Sequence, residues 1–149
     1  MIPELKKLLP EYDVFDMDTI WDGKQDWQVL KNNWFRIARS IADSGRCTVL
    51  CGTLLPWEAE KCDEFESFSR VYFVNLHCNN DLRRERLNIR GWTEEQIIEY
   101  QNFAQWLLDN ASSKFDPPMP TIDTSSIGPD EVASAIVNWI KTIKDSSAS

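Results

Sequence analysis

The stretch YDVFDMDTIWD, residues 12–22, runs an apolar pair into two aspartates flanking a methionine, with a tryptophan close behind. Val14 and Phe15 between acids mark a short strand over residues 13–16, ending where Asp16 and Asp18 follow. In open parallel sheets ligands bind beyond the carboxyl ends of the strands, so the two aspartates stand at a ligand position if the rest of the chain builds such a sheet.

Working outward, residues 3–9 (PELKKLL) place Leu5, Leu8 and Leu9 on one helical face, and Pro10 stops that helix. Trp27, Leu30, Trp34, Ile37, Ala38, Ile41 and Ala42 recur with a period of about 3.6, which predicts a helix over residues 27–44. Gly45 supplies its left-handed cap. CTVLCG, residues 47–52, is continuously apolar and reads as a strand covered on both faces; VYFVNL, residues 71–76, is a second. Residues 80–89 are predicted helical. Thr93 with Gln96 is a capping box that opens a helix to Asn110, its stripe formed by Ile97, Ile98, Gln101, Ala104, Trp106 and Leu108. After a proline-rich turn at 116–120, TID (121–123) is a last short strand, and Pro129 starts a helix with Val132, Ile136, Trp139, Ile140 and Ile143 on one face. Residues 145–149 are expected to be a disordered tail. Strands alternating with helices predict an α/β fold, a three-layer α/β/α arrangement around a parallel sheet.

The chain of 149 residues is 42% hydrophobic with seven tryptophans, enough to bury one sizeable core, and a single domain over residues 1–144 is expected. Sixteen basic against 24 acidic residues give a net charge of −8, so no overall positive field exists to gather a nucleic acid. Cys47, Cys51, Cys62 and Cys78 form no CxxC pair. The single histidine, His77, neighbours Cys78 on a strand whose successive side chains point to opposite faces, so zinc is not expected. No secretory leader is legible and no apolar run reaches about 18 residues, so the expected location is the cytoplasm, without a membrane partner.

An aspartate at the position of Asp16 or Asp18 can take a proton from an attacking hydroxyl or hold a hydrated magnesium ion. The structural alternative is a turn in which either carboxylate caps the backbone that follows. Gly52 lets backbone approach a ligand closely, though a tight turn explains it equally. Arg83, Arg84, Arg86 and Arg90 offer planar forks suited to phosphate, or simply form a solvated helix face. Trp21, Trp27 and Trp34 could stack a base or a sugar, although tryptophans at helical spacing usually belong to a core.

The order DVFDMDTIW, WFRIARSIA, TVLCGT, VNLHC with LRRERLNIR, then TIDTS before a last amphipathic helix resembles the P-loop small-molecule kinases, in the nucleoside/nucleotide-kinase-like and shikimate-kinase-like branch. The likeness runs from about Leu5 to Ile143. It implies ATP-dependent phosphoryl transfer to a small metabolite, a nucleoside or nucleotide among the candidates, with ATP and Mg2+ as cofactors. By resemblance Asp18 is the base and Asp16 a second catalytic acid that places magnesium. Trp21, Arg36, Gly52 and Thr53 then fall around the acceptor, Arg86 and Arg90 at the ATP phosphates, and Asp123, Thr124 and Ser125 against adenine.

The helix at 93–110 has no arginine where a shikimate-type lid would carry one, so shikimate is not the expected acceptor. The Walker A pattern GxxxxGKS/T occurs nowhere in the sequence. In the family the strand before that loop lies centrally, between the strands that here are 47–52 and 71–76, and its loss leaves two apolar edges unpaired or forces them to pair directly. Three accounts are open: a fragment of a longer kinase, favoured because nothing else in the sequence looks decayed; a natural truncation; or a strand supplied by a second chain, whether a further copy or another protein. A catalytically silent small-molecule-binding or regulatory module is the alternative function.

Overall fold

The computed structural model describes residues 1–148, with side chains for residues 1–144. Its elements in chain order are α1 (Ile2–Leu8), β1 (Tyr12–Asp16), α2 (Trp27–Asp43), β2 (Cys47–Cys51), α3 (Pro56–Glu60), β3 (Asn75–His77), α4 (Asn80–Ile89), α5 (Glu94–Asn110), β4 (Thr121–Asp123) and α6 (Pro129–Ala148). The architecture is mixed α/β. Two compact units divide the chain: one takes Met1–Val71 together with the stretch from Pro129, the other Tyr72–Gly128.

In the first unit β1 and β2 pair in parallel, from Tyr12 opposite Cys47 to Asp16 opposite Cys51, with α2 as the crossover between them. The Asp26 carboxylate caps α2 by accepting from the N–H groups of Gln28 and Val29, and Gly45 at φ +81° turns the chain out of it. The unit buries Leu5, Leu9, Val14, Val132, Ala133, Ile136 and Val137, and α1 packs against α6 and β1. A second cluster joins Met17, Leu30 and Trp34 with the half-buried Phe15, Ile37, Leu50 and Leu54. Trp34 satisfies its buried indole N–H on the Met17 carbonyl at 2.8 Å.

Several details depart from the sequence reading. Leu8 is exposed while Leu5 and Leu9, one turn apart, are buried. Trp27 and Ala42, at the two ends of the stripe on α2, are exposed, and Phe35 and Lys31 are buried instead. Lys31 is tolerated because its ammonium meets Glu58 Oε2 at 2.5 Å, while Glu58 Oε1 accepts from Leu55 N–H. β2 is half-buried and its first residue, Cys47, is exposed, rather than covered on both faces, because a two-stranded sheet gives it one neighbour only.

In the second unit β3 and β4 pair in parallel, Asn75 opposite Thr121 through His77 opposite Asp123. The strand expected over 71–76 enters the ladder only at Asn75 and continues to His77. Extending the register backward sets residues 71–74 against 117–120, where Pro117, Pro118 and Pro120 have no N–H to donate. The capping box at the start of α5 is formed as expected, Thr93 Oγ1 accepting from Gln96 N–H at 3.2 Å and Gln96 Oε1 accepting from Thr93 N–H at 2.9 Å. The tail expected at 145–149 coincides with positions whose side chains lie outside the described residues; the helical backbone of α6 is drawn to Ala148. Among the described residues no helix is long and apolar enough to cross a membrane.

Candidate functional site

The register of β1 on β2 brings Asp16 beside Cys51, so Asp16, Asp18, Gly52 and Thr53 gather at the carboxyl end of one parallel pair. Burial pushes the Cys51 thiol up, and the neighbouring Asp16 charge pushes it further. Asp16 Oδ1 accepts from Asp18 N–H at 2.9 Å and caps the 3-10 turn at Met17–Ile20. The capping role weighed for these aspartates is therefore taken by Asp16. Asp18 is exposed, and its carboxylate has no hydrogen-bond or ion-pair partner among the described residues.

Gly52 has its own local reason: a Cβ there would stand 2.7 Å from Met17 Cβ, so the glycine lets the turn after β2 close over the buried methionine. Thr53 is exposed beside it. The turn places Trp21 three residues beyond Asp18, the Trp21 N–H donating to the Asp18 carbonyl at 3.1 Å. Trp21 and Trp27 stack with centroids 4.7 Å apart and planes at 16°, exposed by 41% and 44%. Between them Gly23 at φ +85° and Asp22, which accepts from the N–H groups of Lys24 and Gln25, form the connecting turn. Those bonds hold the Asp22 carboxyl below the ordinary carboxylate value. Arg36 is exposed on α2 and has no bonded partner among the described residues, so nothing ties it to this corner.

The second unit carries the other expected positions. Thr124 donates from both its N–H (2.7 Å) and its hydroxyl (3.1 Å) to the His77 carbonyl, and Ser125 Oγ accepts from Asn79 N–H at 2.9 Å. Hydrogen bonds from Ser125 hold the Asp123 carboxyl below its ordinary value, with His77 contributing less. These three side chains are thus occupied in closing the β4 loop onto the end of β3. Arg86 and Arg90 are exposed, one on α4 and one at its cap, each without an ion pair among the described residues.

Of the four arginines that offer a fork for phosphate or a solvated helix face, Arg83 departs from the solvated face: it is buried, 5% exposed. Its spacing one turn before Leu87, on the apolar side of α4, was the available signal.

One Asp16 oxygen is committed to backbone, and among the described residues no three His, Cys, Asp or Glu side chains converge to hold a metal. The phosphate-cradling loop is not part of this sequence. What the first corner can do is accept a hydrogen bond from a hydroxyl at Asp18 and offer the indole pair to a planar or sugar ring. Compared with known proteins, the chain matches no family model and no curated protein.

Proposed function

We propose that the chain binds a small hydroxyl-bearing metabolite at the carboxyl end of β1 and β2, as the acceptor corner of an α/β/α fold of P-loop-kinase type. The observation that carries the binding reading is Asp18, an unengaged carboxylate one short turn from two exposed stacked indoles. Supporting the fold type, among the described residues β2 pairs only with β1 and β3 only with β4. Two separate parallel pairs are what remains when the strand between them in the family order is not in the chain.

Charge decides the ligand class further. Asp16, Asp18, Asp22 and Asp26 are all exposed in the stretch that carries the indoles, with Lys24 the basic residue among them, so a neutral nucleoside or sugar suits this corner better than a nucleotide. Titration calorimetry against nucleosides, their monophosphates and simple sugars tests the reading. A neutral ligand should bind, and Asp18→Asn should weaken it about tenfold, the scale of a hydrogen bond to a charged acceptor. No heat with any neutral ligand, or unchanged affinity in Asp18→Asn, sinks it.

Phosphoryl transfer from ATP, the activity of the family that the sequence resembles, is the second reading. It needs a strand and GxxxxGKS/T loop joined to this sequence or supplied to it. The intact mass of the natural protein tests for the former: an extension carrying that loop favours the kinase, in which Asp18→Ala should lower turnover about 100-fold or more.

A further inference from the structure

Of the three buried polar or charged side chains among the described residues, Lys31 has Glu58 and Asn75 is neutral, which leaves Arg83 as a buried cation without an acid. No ion pair joins Arg83 to a carboxylate among the described residues. Its partners are neutral acceptors: Nη2 donates to the Cys78 carbonyl at 2.6 Å and faces His77 Nδ1 at 3.3 Å, and Nη1 donates to Asn80 Oδ1 at 2.7 Å. Burying a guanidinium without a counter-charge is costly, and neutral dipoles offset that cost less well than an anion does.

We propose that this end of the β3–β4 pair is a binding site for a small oxyanion, a phosphate or carboxylate group, held by Arg83. Three of the five guanidinium N–H groups are engaged by the neutral acceptors, and one of those, Asn80, is an exposed side chain. Its amide oxygen stands where an oxyanion oxygen can replace it, which frees both Nη1 hydrogens for a charge-assisted bond. Because a guanidinium only donates, His77 Nδ1 is the acceptor in that contact, while the Ser125 hydroxyl on the neighbouring loop accepts from Asn79 N–H and donates to the Asp123 carboxylate. The site is separate from the Asp18 corner and does not depend on it.

His77 is the only histidine in the chain, so a single imidazole resonance reports on this site. Inorganic phosphate and acetate are titrated separately at fixed pH and ionic strength, with chloride as balancing salt, while the His77 signal is followed by NMR. A saturable shift with phosphate identifies a phosphoryl ligand, a saturable shift with acetate a carboxylate, and either supports the site. Arg83→Gln should weaken the response at least about tenfold, since a charge-assisted bond is lost. No saturable shift with either anion in the wild-type protein overturns the proposal even if the variant does not fold, and so does an equal response in Arg83→Gln.

Discussion

A methyl group added at Gly52 has nowhere to go, because Met17, 3% exposed, already fills that space and belongs to the cluster with Leu30 and Trp34. Gly52→Ala should therefore destabilise the protein by about 1–3 kcal/mol through overpacking, read as a lower urea midpoint at unchanged slope. If the midpoint is unchanged, the glycine serves something other than this contact. The sequence offered two readings of Gly52 and could not choose, since the choice depends on Met17, which comes 35 positions earlier and reaches it only through the pairing of β1 with β2. Asp16 and Asp18 divide in the same way. Both are acids past a strand, and only the direction of the Asp18 N–H separates the capping carboxylate from the unengaged one.

At the scale of elements, what could be read was written in local chemistry. Asp26, Gly45, Asn79, Thr93 with Gln96, and Pro129 stand at helix ends, and the capping box anticipated at Thr93 is present. Thr93→Ala removes the acceptor for Gln96 N–H and should cost about 1 kcal/mol, measured by thermal unfolding, whereas Thr93→Ser should cost much less because it keeps the oxygen. Strand limits were less legible, as a strand is defined by its partner. VYFV has every local mark of a strand, yet the prolines at 117, 118 and 120 deprive it of donors, and that pairing is invisible until the register is known. The buried Lys31 and Arg83 escaped for a related reason: each lies on the inward side of its helix, where a long cation is admitted only by a partner far away in sequence or at the helix start.

For the molecule as a whole, the two units differ in how much ladder holds them. β1 and β2 pair over five residues each and flank a core with Val14 and Trp34, whereas β3 and β4 pair over three. Native-state hydrogen exchange should find the amides of β1 and β2 protected longer than those of β3 and β4, because opening a three-residue ladder exposes less buried surface. Equal protection in both ladders would mean that the chain opens as one cooperative body. The chain also enters the first unit twice: α1 lies at its start, the α6 helix that packs on it comes last, and the whole of the second unit is threaded between them. On a ribosome the second unit is therefore complete, and free to fold, while α1 still waits for α6 to be made. The α1 residues are thus made well before α6, one of the two elements that cover them, so a nascent chain stalled before α6 leaves them covered by β1 alone.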